Sequence, residues 1–185
     1  MRPTDAAPRY DRVARWLHGG IGALMIGQIA FGLALDALAP RGSPGRADVI
    51  NLHKSLGVLL LALVLLRLAW RWRHPPPPWP PTMQPAAVRA ATWGHRWLYA
   101  LMLALPLAGW LATNLSRHGL RLFGWRIPPW GPDVPLLYQT FNALHVALAW
   151  ALALTIVGHV AMGLWHGVVR RDGVLQRMLP QWPRH

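Results

Sequence analysis

Apolar residues fall into four long runs separated by short breaks rich in Pro, Gly and charge. The first run extends from about Val13 to Ala39 and is interrupted only by Arg15, His18 and Gln28 before Asp36. Pro40-Arg41-Gly42-Ser43-Pro44-Gly45 then ends it with turn chemistry. The second run covers about Val49 to Trp72, with His53 and Lys54 at its start and Arg67 near its end. His74 is followed by Pro75-Pro76-Pro77-Pro78-Trp79-Pro80-Pro81, which cannot be helical and reads as a stiff polyproline connection. The third run covers about Ala86 to Asn114, with His95 one or two turns in and an internal Pro106 that is expected to kink it. A loop from Ser116 to Pro135 is the longest structured connection, and the fourth run follows from about Leu136 to Val169. A span needs about 20 apolar residues. The pattern therefore predicts an all-α transmembrane four-helix bundle, up-down-up-down, in one domain over residues 1–185.

Composition agrees with a membrane protein. The chain has 185 residues, 54% of them hydrophobic and only 14% charged, too few charges to cover a soluble domain of this size. No cysteine is present, which excludes intrachain disulfides, Cys-ligated zinc, iron–sulfur clusters and thioether-attached haem. All six acidic residues are aspartates, so the Glu-x-x-His pattern of di-iron carboxylate bundles is absent. Met1 to Asp11 is polar and lacks the apolar region and cleavage site of a signal peptide, so the first run is expected to be retained.

The net charge of +13 sits in short clusters between the apolar runs, a membrane-protein pattern and not a nucleic-acid-binding face. The N-terminal tail (Arg2, Arg9, Arg12, Arg15), the second connection (Arg67, Arg71, Arg73, Arg89, Arg96) and the C-terminus (Arg170, Arg171, Arg177, Arg184) hold thirteen basic residues. The first loop (Arg41, Arg46, Lys54) and third loop (Arg117, Arg121, Arg126) hold six. Basic residues favour the inner side, which predicts a multi-pass protein of a cytoplasmic membrane with both termini cytoplasmic. Trp16, Trp70, Trp72, Trp93, Trp97, Trp125 and Trp130 fall near run ends, as interfacial anchors do.

His145 and His159 bound an unbroken apolar stretch fourteen positions apart. Fourteen helical steps rise about 21 Å and return to within about 40° of the same face. One helix thus offers two imidazoles near opposite membrane surfaces, a geometry for two stacked metal centres. Sorting by depth puts His18 level with His159 on the cytoplasmic side and His53 level with His145 on the other. Imidazoles in hydrocarbon are costly unless hydrogen-bonded or ligating a metal. Pairs from different helices suit two bis-histidine haem b groups held within a bundle. Gly19, Gly20, Gly22, Gly57 and Gly158 would leave room for a flat macrocycle, and Arg15, Lys54 and Arg96 are candidate partners of its propionates.

Other histidines compete or stand apart. His95 lies at the cytoplasmic end of the third run and rivals His18 for the same iron; spacing does not separate them. His166, seven residues past His159, is a candidate for a quinone or proton-exchange site, against the plainer reading of a solvated helix-end histidine. His74, His118 and His185 fall in loops or the tail and read as solvated.

Over nearly its whole length the chain resembles the bacterial cytochrome b561 family. The resemblance rests on Tyr10-Asp11-Arg12-Val13-Ala14-Arg15-Trp16-Leu17-His18, on Leu52-His53-Lys54-Ser55-Leu56-Gly57, and on Gly94-His95-Arg96-Trp97-Leu98-Tyr99. It continues through Leu105-Pro106-Leu107-Ala108-Gly109, Leu122-Phe123-Gly124-Trp125-Arg126-Ile127-Pro128, the His145/His159 spacing and Arg177-Met178-Leu179-Pro180. It implies a dihaem, quinone-linked cytochrome. His18 and His159 would ligate the cytoplasmic-side haem iron, and His53 and His145 the other, with His18 favoured over His95. It further implies an oxidoreductase of the respiratory chain, with ubiquinone as the substrate and, in one member type, superoxide as the donor. Lys54, Arg117, Arg121 and Arg126 would attract superoxide to the outer face, although positive loops also bind phospholipid head groups. The alternatives are a cytochrome subunit of a larger hydrogenase-type oxidoreductase and, against the absence of mid-membrane acids and broken helix pairs, a haem-free transporter or scaffold.

Overall fold

The computed structural model describes residues 8–179; Arg2, Pro180, Arg184 and His185 lie outside them. Helix α1 (Arg12–Leu33) starts where the Asp11 carboxylate accepts from the Ala14 N–H at 2.8 Å, an N-cap that satisfies one of the free amides of the first turn. The first apolar run does not continue as one helix to Ala39. It breaks at Ala34, and a single turn, α2 (Leu35–Leu38), follows. Gly42 and Gly45 both take positive φ in the turn beyond, where Arg46 reaches back to Asp36 at 2.7 Å and to the Ala39 carbonyl. Helix α3 (Arg46–Arg73) and helix α4 (Pro85–Asn114) follow, α4 with Pro85 in its first turn, where a missing N–H costs nothing. Helical structure is maintained through Pro106.

The third loop contains two elements that the apolar pattern does not predict. Strands β1 (Leu120–Leu122) and β2 (Trp125–Ile127) pair antiparallel across the two-residue turn Phe123-Gly124. Both turn residues have positive φ, 46° and 99°, the handedness that matches strand twist. This hairpin is tied to the start of α3. The Asn51 side chain accepts from the Arg121 N–H, the Ser55 hydroxyl accepts from the Phe123 N–H, and the Lys54 ammonium donates to the Gly119 carbonyl, all at 3.0 Å. Helix α5 (Pro135–Leu164) runs on into a π-helical segment, Trp165–Arg170.

All four long helices are long and apolar enough to cross a membrane. Ile21, Met25, Leu60, Val64, Leu101, Leu105 and Leu152 form a narrow core drawn from all of them. The rest of their apolar surface faces outward: only 6% of the most apolar stretch of α5 is buried. Such a surface is stable in a bilayer and not in water. The protein is a multi-pass bundle, with α4 against α5, α1 against α3 and α3 against α4, while α1 and α5 touch only sparsely. Its tails meet at one end, where the Tyr10 N–H donates to the Arg177 carbonyl at 3.4 Å. That end is called the termini end below, and the opposite one the hairpin end. Trp16, Trp72, Trp93, Trp97, Trp125 and Trp130 are exposed, as belt residues are. Trp70 instead donates its indole N–H to the Asp11 carboxylate.

Candidate haem sites at the two ends of the bundle

At the hairpin end, His53 of α3 faces His145 of α5, with ring centroids 6.2 Å apart and planes at 89°. His145 lies 2.8 Å by its Nδ1 from the Leu105 carbonyl. A carbonyl can only accept, so Nδ1 carries the proton and Nε2 keeps its lone pair for a metal. Two glycines make the fit. A Cβ on Gly109 would lie 2.8 Å from the His145 Nδ1, and one on Gly32 would lie 2.9 Å from the His53 Cε1. Gln28 donates to the His53 carbonyl at 2.6 Å and sits 3.1 Å from its ring nitrogen, while its own oxygen is buried with no partner among the described residues. Phe31 packs edge-on against His53 at 5.7 Å.

At the termini end three imidazoles gather. His159 of α5 faces His18 of α1 at 5.9 Å and 88°, and His95 of α4 at 5.2 Å and 82°. The His95 Nδ1 lies 2.6 Å from the Ala91 carbonyl one turn back, which leaves its Nε2 as the free acceptor. Trp79 of the polyproline connection approaches His95 at 6.4 Å.

Both predicted pairs are therefore brought together, and each fits an iron between two rings. Two metal–imidazole bonds of about 2 Å plus the ring radii account for a centroid separation near 6 Å. His18, His95 and His159 are neighbours, but among the described residues no three His, Asp or Glu side chains are placed to hold one bare metal ion together. Facing pairs instead suit a metal that carries its own equatorial ligands. The sparse contact between α1 and α5 leaves width beside His18 and His159. Gly19, Gly20, Gly22 and Gly158 have nothing within 4 Å of an added Cβ, the open space that a flat macrocycle needs, and Gly57 meets only the Gln28 side chain at 3.7 Å; Gly32 and Gly109 serve differently, by seating the imidazole rings.

The three basic candidates differ in their surroundings. Arg96 is exposed and lies over the Trp93 ring at 4.9 Å. Lys54 spends a donor on Gly119. Arg15 donates to the Leu179 carbonyl at 3.1 Å, and its Nε is buried without a partner among the described residues, as a site for an added carboxylate would be. Arg67, which the run pattern places only near a helix end, is half-buried within α3. It donates to the Tyr99 hydroxyl at 2.9 Å and the Ala14 carbonyl at 3.3 Å. No carboxylate pairs with it among the described residues, and it lies within electrostatic reach of His18, His95 and His159. An intramembrane guanidinium with no acid partner is the signal that would have found it.

His166 stands on the π-helical segment, which commonly marks functional sites. It is not a solvated helix-end residue: its Nδ1 is 2.6 Å from the Asp172 carboxylate, and both side chains are 12% exposed. Arg171 takes a positive φ of 49° to turn the chain back for this contact. Burial alone raises the Asp172 carboxyl, but the His166 bond, the Val174 N–H and the Arg170 charge together hold it below the ordinary carboxylate range. His74 is exposed yet stacks on Trp70 at 4.0 Å, and His118 lies exposed in the third loop. In that loop Arg121 pairs with Asp48 at 3.2 Å, while Arg117 and Arg126 are exposed.

Comparison with known proteins gives this arrangement a family. The family model for prokaryotic cytochrome b561 matches residues 9–181. Cytochrome b561 homolog 2 of Escherichia coli (strain K12) is 32% identical over 181 residues, covering 97% of this chain and 95% of that protein. The Yersinia pestis protein named Probable superoxide oxidase CybB is 32% identical over 149 residues, covering 80% of this chain and 84% of its own. Cytochrome b561 homolog 1 of Escherichia coli (strain K12) is 26% identical over 176 residues, covering 94% and 98%. With its membrane-spanning bundle and facing histidines, the chain belongs to the prokaryotic cytochrome b561 family of b-type haem membrane proteins.

Proposed function

We propose that the chain, as a single membrane domain, holds two haem b groups and moves electrons across the bilayer to or from a quinone. The observation that carries this reading is the pair of facing imidazole sets at opposite ends, both completed by α5. His53 and His145 would hold one iron, and His18 and His159 the other. His95 is then a neighbour of the second site rather than a ligand. Bound haem supplies one-electron redox chemistry.

The protein's own groups do the rest. The Leu105 carbonyl fixes the His145 tautomer, and Gly109 and Gly32 let the rings at that end seat. Arg67 and Arg15 supply positive charge where propionates at the termini end need it, in preference to the exposed Arg96. The distribution of basic residues supports cytoplasmic termini. Quinone reduction needs protons, and the His166–Asp172 pair, joined at 2.6 Å near the C-terminal end of the bundle, would pass one.

Superoxide is the proposed donor, as the name of the Yersinia pestis relative suggests, and ubiquinone is the proposed acceptor. Two superoxide anions and two protons then convert one ubiquinone to ubiquinol and release two dioxygen. The cationic third loop, with Arg117 and Arg126 exposed, favours an anion at that face.

A reduced-minus-oxidised spectrum with a haem-to-protein ratio on the purified protein tests the cofactor content, and a colourless protein overturns it. Stopped-flow mixing with superoxide, with and without ubiquinone, tests the donor. Haem that stays oxidised on mixing with superoxide alone, in a protein that copurifies with another subunit, would favour the cytochrome-subunit reading.

A further inference from the structure

Arg177 is the most deeply buried charged side chain among the described residues, 3% exposed, and none of its contacts is with an acid. Its Nε donates to the Pro8 carbonyl at 3.1 Å, and one Nη donates to the carbonyls of Pro77 and Pro78 at 2.7 and 2.8 Å. The guanidinium also lies 5.6 Å from the Tyr10 ring and 6.0 Å from the Trp79 ring. Burying an arginine is costly unless its donors are met, and here backbone from two distant segments meets them. Prolines leave carbonyls without competing N–H groups, so the polyproline connection offers acceptors that nothing local claims.

The clasp bears on the termini-end site through one residue. Trp79, half-buried, stands between Arg177 and His95, 6.4 Å from the latter, and His95 stands 5.2 Å from His159. The N-terminal tail, the second connection and the C-terminal turn are thus pinned together beside Trp79, which approaches His95. The neighbouring turn closes down as well, since Leu175 packs where a side chain on Gly167 would have to go.

We propose that Arg177 is a positioning residue that clamps Trp79 as a cover over the termini-end iron site and, by keeping water out, sets that site's reduction potential. The inference rests on a haem being held there by His159. Water admitted beside the iron stabilises the more highly charged ferric state, so opening the cover lowers the midpoint. The role belongs to the planar fork, which reaches three carbonyls at once, and not to the positive charge as such.

Redox titration of both haems in the intact, detergent-purified protein tests this, using Arg177→Gln, Arg177→Lys, Trp79→Ala and the Arg177→Gln/Trp79→Ala pair. The termini-end haem should drop to a lower midpoint, about tenfold in ferric-to-ferrous ratio at fixed poise, or ~59 mV for one electron. The hairpin-end haem should stay at the wild-type value and serves as the internal control of folding. Arg177→Lys should resemble Arg177→Gln, and the double variant should shift no further than either single one. Trypsin should cut after Arg73 faster in the Arg177 variants. Wild-type behaviour of Arg177→Lys, additive shifts, equal shifts in both haems, or an unchanged midpoint in Trp79→Ala would each overturn the proposal. If Arg177→Gln does not accumulate, Trp79→Ala alone carries the test, because it leaves all three carbonyl bonds in place. A protein without haem fails the functional reading; two wild-type haems in the variants fail only this one.

Discussion

The His145 Nδ1 lies 2.8 Å from the Leu105 carbonyl, one residue before Pro106 and one helical turn before Gly109. A single stretch of α4 therefore orients the ring and leaves the gap that it fills. Gly109→Ala puts a methyl 2.8 Å from that nitrogen and should cost about 1–3 kcal/mol through overpacking. The haem-to-protein ratio should fall at the hairpin end, and Gly32→Ala should act alike.

Ligand pairing predicts which substitutions behave alike. His53→Ala and His145→Ala should remove the same haem, and His18→Ala and His159→Ala the other, each leaving about one haem per chain. His95→Ala should keep both. Loss of a haem in His95→Ala with none in His18→Ala would reassign the termini-end iron to His95 and His159.

Arg67 is a half-buried cation beside three imidazoles. Arg67→Gln removes a positive charge that favours the ferrous state and should lower the termini-end midpoint, by about one decade in ferric-to-ferrous ratio. Arg96→Gln, at an exposed position on Trp93, should leave both midpoints unchanged.

The Asp172 carboxyl is held below its ordinary value of 3.8, so its link to His166 stabilises the C-terminal turn above that value. That contribution is lost as pH falls through the lowered folded value. Thermal unfolding followed at about pH 6 and about pH 3 should show the wild type losing more stability on acidification than Asp172→Asn does. At neutral pH the same variant should slow quinone reduction while both haem spectra stay unchanged.

Much of this is legible in the sequence, because it depends on local pattern. Four apolar runs mark four spans, and a helix of known rise places His145 and His159 at opposite depths. What escaped depends on contacts between distant segments. Gly32 and Gly109 sit far from the histidines in sequence and touch their rings in the fold. Arg67 counts as one more basic residue near a helix end until Ala14 and Tyr99 are seen around it. The hairpin was hidden because Phe123 occupies a positive-φ position where glycine or asparagine would have signalled the turn. Arg177 offered only a short motif, since its partners are backbone carbonyls and leave no side-chain signature.

Helix α5 acts as a ruler. Because one rigid rod carries a histidine at each mark, the interval between the two sites is written as a number of residues and not as a set of side chains. Any apolar substitution between the marks leaves the interval intact, but one inserted or deleted residue swings the far mark by about 100°. Within this family the stretch from His145 to His159 should drift freely in composition and tolerate no change in length, and alignment of its members would reveal that gap-free block.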